Sequence, residues 1–281
     1  MIRIHELPPL PARPPDGHKG LFGRVLVVGG SESMIGAPVL AGTTALRCGS
    51  GLVQVALPQS VLAHAISIAP ELIGLGLSKS NDRELVKTAE QADVIVLGPG
   101  IGQSADAKRR VLRLIQIDKP MVIDADALNI LASQKKWAAK FKARAVLTPH
   151  PGEMKRLMKR EVPTDDDGRI ALAVEASKKF KQVVVLKGHR TVVTDGDRVY
   201  VNRTGDSSLS KAGAGDVLSG LIGSIIGQQN QPDGFAAAVA GIHVHGRAGE
   251  IAGKKLGLRC VLARDVIDAI PEAIAEYELK T

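Results

Sequence analysis

The sequence reads, at 211–220, Lys-Ala-Gly-Ala-Gly-Asp-Val-Leu-Ser-Gly, and an apolar run follows as far as Gly227. Gly213 and Gly215 permit tight turns and let a ligand approach the backbone closely. A helix that starts here presents unpaired N–H groups, which favour an anion such as phosphate. We call this group of N–H donors at 213–216 the phosphate seat. Asp216 lies beside it and could take the proton from an attacking hydroxyl in phosphoryl transfer. The motif alone is equally compatible with a glycine turn in which Asp216 caps a helix.

Short, apolar, β-branched runs alternate with helical stretches on both sides of this motif. The alternation predicts an α/β fold: a mainly parallel central sheet covered by helices on both faces. We find no composition break and no fixed-period repeat, so we expect a single domain over 1–281, with a proline-rich extended lead-in at 1–20. Strands are predicted at 24–28, 52–57, 71–75, 93–97, 121–123, 145–147 and 183–186, followed by an antiparallel hairpin of 191–194 and 198–201. Helices are predicted at 37–46, 61–68, 81–91, 105–115, 127–132 (capped by Asp126), 154–158, 170–180, 217–226, 235–251 and 264–277.

Composition narrows the class of ligand. The formal net charge is +8, which is compatible with a basic surface or with attraction of an anionic small molecule into a cleft. Aromatic residues make up only 2% and no long Lys/Arg block occurs, so nucleic acid is a poor candidate. The two cysteines form no metal or disulfide framework, and we see neither a signal segment nor a membrane-spanning run. We therefore expect a cytoplasmic protein.

Five of the predicted strands end in loops of small or polar residues. Because ligands of open parallel sheets lie beyond the carboxyl ends of the strands, these loops favour an enzyme cleft over five unrelated turns. The P-loop pattern G-x-x-x-x-G-K-[ST] is absent, and 98–102 lacks the G-x-G-x-x-G spacing, which disfavours a hydride-transfer dehydrogenase. The loops are 29–30, 98–102, 124–126, 148–153 and 187–188.

Several segments, in order along the chain, resemble the NAD(P)H-hydrate dehydratase family, the carbohydrate-kinase-related members of the ribokinase-like superfamily. The resemblance implies a three-layer α/β/α ribokinase-like fold. It also implies repair of hydrated NADH and NADPH (the S epimer): the ring hydroxyl is phosphorylated by ADP or ATP, and phosphate then leaves with a ring proton. The matching segments are 29–31 with 34–38, 45–53, 97–102, 124–129, 147–153, 186–188 and 213–220.

The same resemblance assigns roles to individual residues. Asp216 is expected to be the base, and the backbone N–H groups of Gly213, Ala214 and Gly215 are expected to hold charge on the moving phosphoryl group. Ala214 stands where relatives commonly carry Thr, but the backbone donors are unchanged. The expected substrate contacts are Ala37, Gly100, His150 and Asp216. The expected nucleotide contacts are Lys187, Gly188, His189, Arg190, Thr191 and Gly215.

The segment His150-Pro151-Gly152-Glu153 also resembles the Asn-x-x-Glu motif of ribokinase-like kinases. By that resemblance Glu153 helps to position Mg²⁺ through water, and capping of the following helix is its equally weighted alternative. Asp124 could meet a ribose or a metal, or could simply form a turn. His243 and His245, two residues apart in a predicted helix, point to different faces, which disfavours a shared metal and favours core or surface positions.

Two other functions stay open. One is a small-molecule kinase of the hydroxymethylpyrimidine or hydroxyethylthiazole type, whose product would keep its phosphate. The other is a nucleotide-binding module without turnover, which would not need a base at Asp216. The resemblance further implies a homo-oligomer, commonly a tetramer. About 20 residues precede the first buried strand, too few for the epimerase domain fused to many relatives, so none is expected in this chain.

Overall fold

The computed structural model describes residues 1–78, 81–142, 144–228 and 233–281. Within them, one ten-stranded sheet runs through the molecule in the order β1-β10-β9-β8-β7-β6-β5-β2-β3-β4. All neighbouring strands pair in parallel except β9, which is antiparallel to both β8 and β10. The strands are β1 (Ile2–Arg3), β2 (Arg24–Val28), β3 (Leu52–Pro58), β4 (Ile73–Leu77), β5 (Val94–Leu97), β6 (Met121–Ile123), β7 (Ala145–Leu147), β8 (Val183–Leu186), β9 (Val192–Thr194) and β10 (Arg198–Val201).

Helices cover both faces of this sheet. One hydrophobic core joins the sheet to α1, α2, α8, α9 and α10, and a second core joins its other face to α3, α4, α5, α6 and α7. The three-layer α/β/α prediction is therefore confirmed. The helices are α1 (Gly36–Arg47), α2 (Leu62–Ile68), α3 (Asp82–Gln91), α4 (Ala105–Leu114), α5 (Ala125–Ala132), α6 (Pro151–Met158), α7 (Asp166–Phe180), α8 (Ala214–Gly227), α9 (Gly234–Leu256) and α10 (Ala263–Glu278).

The central strands are apolar along their whole length because both of their faces are covered. In β2, Val25 and Val27 enter the first core, whereas Leu26 and Val28 enter the second. All four side chains are fully buried. The chain reverses its direction of winding at β2, which lies between β3 and β5. A sheet of this kind binds ligands at such a switch point, beyond the carboxyl ends of the strands.

Helix α8 lies unusually close to its neighbours because small residues line it. A Cβ at Gly220 would stand 2.1 Å from the carbonyl oxygen of Ala41 in α1. A Cβ at Gly223 would stand 2.4 Å from the Val96 side chain of β5. The helix is thus wedged between α1 and the sheet, and this fixes where its amino end points.

The predicted elements are found with small shifts of their ends, apart from the cap of α5. The antiparallel hairpin of β9 and β10 is where the sequence predicts it. The first residues of the lead-in add a short edge strand beside β10. Asp126, however, is not the N-cap of α5: the cap position is Asp124, without a side-chain cap, and the helix begins at Ala125. The carboxylate of Asp126 instead accepts a hydrogen bond from the Gly102 N–H at 2.9 Å.

A membrane-crossing helix is not found in the described part of the chain, because none of its helices is both long and apolar enough.

Candidate active site

The loops that follow the central strands meet at the carboxyl edge of the sheet. The Gly30 N–H donates to the Pro99 carbonyl at 2.8 Å, and the Lys187 N–H donates to the Pro149 carbonyl at 2.9 Å. A Cβ at Gly98 would stand 1.9 Å from the carbonyl oxygen of Asp124. The predicted convergence of these loops is therefore present in the structure.

A buried ion pair lies at the centre of this edge. Lys187, at the end of β8, donates from Nζ to Asp124 Oδ1, at the end of β6, across 2.7 Å. The Glu153 carboxylate is 3.9 Å from the same Nζ. Burial alone would lower the pKa of Lys187, but the attraction of Asp124, Glu153 and Asp216 outweighs burial and raises it. Lys187 is therefore a fixed positive charge at the site.

Asp216, in the first turn of α8, faces this pair. Burial raises the pKa of its carboxyl to about 7, and repulsion from Asp124 adds to the effect while Lys187 opposes it. A carboxyl poised near neutral pH suits a general base, because it is partly ionised and still basic enough to take a proton. The electrostatics thus fit the role that the sequence assigns to Asp216, which stays a prediction.

The amino end of α8 is where the sequence predicts a phosphate seat. Gly213 is the N-cap with φ +91°, a left-handed conformation that favours glycine. The Ala214 N–H already donates to the Lys211 carbonyl at 3.3 Å. The N–H groups of Gly215 and Asp216 have no hydrogen-bond partner within the residues that the structure describes. They are the donors that remain available to an anion.

A cavity of about 590 Å³ opens beside this seat. The predicted nucleotide segment 187–191 lines one wall, and Gly215 lines it as well. Arg169 of α7 holds that segment from behind, since its guanidinium donates to the carbonyls of Leu186, Lys187 and His189. The structure therefore brings all six predicted nucleotide contacts to one concave surface. The sequence analysis did not identify Arg169, because no local pattern marks a residue 18 positions before Lys187 as a support for the 187–191 segment.

The predicted substrate contacts lie at the same edge of the sheet as the predicted nucleotide contacts, but Ala37 and Gly100 do not line the same cavity. A Cβ at Gly100 would stand 3.0 Å from the Cβ of Ala37, so these two residues are neighbours. A Cβ at Gly213 would stand 2.9 Å from Leu40, one turn after Ala37 on α1. Both predicted contacts are thus next to the amino end of α8, and neither lines the 590 Å³ cavity.

His150 and Glu153 form a capping box at the start of α6. The Nδ1 atom of His150 accepts from the N–H groups of Gly152 and Glu153, at 3.0 and 3.4 Å. Glu153 Oε2 accepts from the His150 N–H at 2.8 Å. Burial lowers the pKa of His150, and the charges of Lys187 and Arg156 lower it further. The capping alternative for Glu153 is therefore observed, and a role for Glu153 with Mg²⁺ stays a prediction.

The acidic groups of the edge fit Mg²⁺ bound through water better than Mg²⁺ bound directly. Asp124 and Glu153 offer the carboxylate oxygens that Mg²⁺ prefers, and burial raises the pKa of Glu153 to about 7. In the residues that the structure describes, no three His, Cys, Asp or Glu side chains are grouped closely enough to hold a metal by themselves. Mg²⁺ commonly completes its shell with water and nucleotide phosphates, which this arrangement allows.

The structure also places Lys211, Trp137 and two histidines of α9. Lys211 donates to the Arg259 carbonyl and so joins the loop before α8 to the segment before α10. Trp137 is buried and packs against Phe141 and Phe180. His243 and His245 line different cavities.

Comparison with known proteins gives one consistent answer. The model of a family described as NAD(P)H-hydrate dehydratase matches residues 25–272. A bifunctional NAD(P)H-hydrate repair enzyme from Moorella thermoacetica is 39% identical over 281 residues, which cover 96% of this chain and 52% of that enzyme. An ADP-dependent (S)-NAD(P)H-hydrate dehydratase from Neisseria meningitidis serogroup B is 38% identical over 263 residues, 92% of this chain and 87% of that enzyme. The chain thus spans about half the length of its bifunctional relatives.

Solved structures agree with the sequences. An ADP/ATP-dependent NAD(P)H-hydrate dehydratase from Bacillus subtilis, co-crystallised with ATP and Mg²⁺, superposes with a TM-score of 0.82 at 29% identity, covering 96% of this chain and 95% of that one. A hydroxyethylthiazole kinase from Pyrococcus horikoshii superposes with a TM-score of 0.65 at 15% identity, covering 88% and 87% of the two chains. The kinase likeness shows the shared fold and nothing more.

Proposed function

We propose, because the chain belongs to the NAD(P)H-hydrate dehydratase family, that it converts hydrated NADH and NADPH (the S epimer) back to NADH and NADPH at the expense of ADP or ATP. The observation that carries the proposal is the position of Asp216. Its carboxyl, with a pKa of about 7, lies in the first turn of α8 beside free backbone N–H groups and the Lys187–Asp124 pair.

The reaction follows from what each group can do. The substrate hydroxyl oxygen attacks the terminal phosphorus of the nucleotide, Asp216 takes the hydroxyl proton, and the bond to the departing nucleotide breaks. The N–H groups of Gly215 and Asp216, with Lys187, stabilise negative charge on the transferred group. The C–O bond of the phosphate ester then breaks together with a ring C–H bond, and the departing phosphate carries away that ring proton. Inorganic phosphate leaves, and the nicotinamide double bond returns.

We further propose that Mg²⁺ accompanies the nucleotide, held through water by Glu153 and Asp124. When bound, it would neutralise phosphate charge. The steps assigned to this chain do not depend on where the ion sits: Asp216 moves the proton, the α8 amides bind the phosphoryl oxygens, and Lys187 orients the donor. Glu153→Gln would keep the cap acceptor for the His150 N–H while weakening the ion site, so the Mg²⁺ concentration needed for half-maximal rate should rise.

The test of function is a product assay. The protein is mixed with hydrated NADPH, Mg²⁺, and ADP or ATP in turn. Return of the reduced-nicotinamide absorbance with an equal amount of inorganic phosphate is the expected result with at least one donor. A stable phosphorylated product would instead identify a kinase, and nucleotide binding without any product would identify a binding module. Either of those outcomes would overturn the proposal.

The assembly is proposed to be a homotetramer. Three leucines near the end of α9 and the start of α10, Leu256, Leu258 and Leu262, are 42%, 47% and 54% exposed, which is compatible with a contact between copies. Light scattering coupled to gel filtration measures the assembly directly. A mass equal to one chain across the micromolar range would exclude the tetramer.

A further inference from the structure

The segment Asp124-Ala125-Asp126, where β6 passes into α5, contacts two separate loops of the carboxyl edge. On one side, Asp124 Oδ1 accepts from Lys187 Nζ at 2.7 Å, and Lys187 lines the 590 Å³ cavity. On the other side, Asp126 Oδ2 accepts from the Gly102 N–H at 2.9 Å. Ala125 has a φ of +51°, a left-handed conformation that is unfavourable for a residue with a side chain. The contacts on both sides therefore have to hold the segment in place.

The loop 98–102, whose last residue bonds to Asp126, is rich in glycine. Its first half is tied to β2 and to the loop that follows β2, through the Gly98 N–H and the Pro99 carbonyl. Its other end is tied by the bond from the Gly102 N–H to the Asp126 carboxylate. Glycine has the most backbone freedom to lose, so without this bond the end of the loop could adopt other conformations. Three of its residues have left-handed φ angles: Gly98 (+125°), Gly100 (+63°) and Gly102 (+71°).

The same loop lies outside the nucleotide cavity. A Cβ at Gly100 would stand 2.9 Å from the Met34 carbonyl oxygen, in the segment before α1. Ile101 lines a second cavity of about 650 Å³, which it shares with the loop after β2. No residue of 98–102 is among the described residues that line the 590 Å³ cavity. A molecule bound beside this loop would therefore approach the site from a different side than one bound beside Lys187.

The proposed reaction needs two molecules in the site at once, the phosphoryl donor and the hydrated nicotinamide nucleotide. Transfer requires the attacking oxygen and the leaving oxygen to be roughly in line, so a small displacement of either molecule slows it. With the donor in the 590 Å³ cavity, the side of the site beside 98–102 is left for the hydrate. The segment 124–126 contacts the walls of both sides.

We propose that Asp126 is a positioning residue for the hydrated nicotinamide nucleotide. By accepting from the Gly102 N–H, its carboxylate holds the loop 98–102 in the conformation that binds this substrate. The identity of the substrate rests on the proposed function, whereas the position of the loop rests on the contacts described above.

Binding of hydrated NADPH, measured by titration calorimetry without a donor nucleotide, tests the role of Asp126. Asp126→Ala removes the acceptor for the Gly102 N–H, so the Kd and the KM for hydrated NADPH should both rise roughly 3- to 10-fold, the size of one hydrogen bond. Asp126→Asn keeps an acceptor oxygen and should recover most of the affinity. The Kd for ADP and kcat should stay at their wild-type values, because Asp216, Lys187 and the amino end of α8 are unaltered.

Asp93 offers a matched control at the opposite, amino edge of the sheet. It precedes β5, and its Oδ2 accepts from the N–H of Arg24, the first residue of β2, at 2.7 Å. Asp93→Ala therefore also removes a carboxylate that ties one backbone N–H to another element. Both alanine variants should unfold at lower urea concentrations than the wild type, and only Asp126→Ala should bind hydrated NADPH more weakly. An equal loss of affinity in Asp93→Ala would attribute the effect to stability and overturn the proposal.

Hydrogen exchange on the wild type decides the case in which Asp126→Ala does not fold. Hydrated NADPH should slow exchange in 98–102, whereas ADP should slow it in 187–191 and leave 98–102 unchanged. Exchange in 98–102 that does not respond to hydrated NADPH, or that responds equally to ADP, would overturn the role of Asp126.

The remaining outcomes separate this inference from the proposed function. An unchanged Kd for hydrated NADPH in Asp126→Ala, or no recovery in Asp126→Asn, would overturn the role of Asp126 alone. A wild-type chain that binds no hydrated NADPH would overturn both. Weaker binding in Asp126→Ala, by a chain that forms no reduced nicotinamide, would support this inference and overturn the proposed function alone.

Discussion

At the scale of single residues, Asp216 can be tested by removing its charge and keeping its shape. Asp216→Asn is predicted to lower kcat by roughly 10²- to 10⁴-fold, the usual contribution of a general base. The Kd for ADP should change little, because the backbone N–H groups of α8 are retained. Asp197→Asn, at an exposed carboxylate in the β9–β10 turn, is the control. Unchanged turnover in Asp216→Asn would remove the residue from its role.

The pH dependence of the rate follows from the same carboxyl. A base works only when deprotonated, and the pKa of Asp216 is about 7, so kcat/KM should fall about tenfold per pH unit below that value and level off above it. Glu153 has a similar pKa, and the two carboxyls are coupled through Lys187, so the measured value belongs to the group of charges.

Two variants separate these carboxyls in a pH–rate profile. The acid limb should persist in Glu153→Gln and disappear from the residual activity of Asp216→Asn. An acid limb that Asp216→Asn retains would assign the titration to another group.

Several residues of the candidate site were picked out from sequence because each follows a recognisable strand or begins a recognisable helix. Lys187 and Asp216 are examples. Their partners could not be predicted, since the Lys187–Asp124 pair joins positions 63 residues apart, and this proximity arises only from the strand order. Asp126 was assigned to the cap of α5, because its bond to Gly102, 24 residues away, is a property of the folded chain alone.

At the scale of elements, helix α6 depends on its capping box. His150→Ala removes the Nδ1 acceptor for two backbone N–H groups and is predicted to lower the free energy of unfolding by about 1 kcal/mol. His150→Asn should retain most of the stability, because Asn is among the best N-cap residues. Urea unfolding at neutral pH measures both variants. Equal stability of the alanine and wild-type proteins would show that the cap is dispensable.

Helix α8 is predicted to be intolerant of side chains where it crosses α1. Gly220→Ala would place a Cβ about 2.1 Å from the Ala41 carbonyl oxygen, so we expect a loss of more than about 2 kcal/mol, since neither backbone can yield cheaply. Gly36→Ala, at the first position of α1 with open space around it, should be neutral or stabilise by up to about 1 kcal/mol. Thermal unfolding compares the two. A tolerated Gly220→Ala would mean that α8 can shift away from α1.

The ends of elements were harder to predict than their existence. Buried strands such as β2 and β5 were clear because β-branched apolar runs are bounded by glycine or polar residues. Helix α7 begins four residues before the predicted start, because Asp165 accepts from the Gly168 N–H and so caps an acidic first turn. The wrong cap for α5 has a similar cause. There the backbone of Asp124 and Ala125 makes the turn, and Asp126 is drawn to the Gly102 loop.

At the scale of the whole molecule, the sheet brings together residues of the candidate site that are far apart in the sequence. The proposed base is on α8, the cation is at the end of β8, and His245, which lines the 590 Å³ cavity, is on α9. Helices α8 and α9 belong to one core, whereas α6 and α7, which carry the capping box and Arg169, belong to the other. Residues of both helix layers form the candidate site. Unfolding of either layer alone would therefore disrupt it.

We therefore propose that the chain unfolds as one domain, and the last prediction tests this. The single tryptophan, Trp137, is 6% exposed in the core of α5, α6 and α7, and its fluorescence reports that layer. Far-ultraviolet circular dichroism reports all helices, including those of the opposite layer. The two urea transitions should coincide, and ADP with Mg²⁺ at about 100 times Kd should stabilise both by about 2.7 kcal/mol, since the nucleotide binds the folded state only. Separate midpoints, or a shift in one signal alone, would show that the two layers unfold independently.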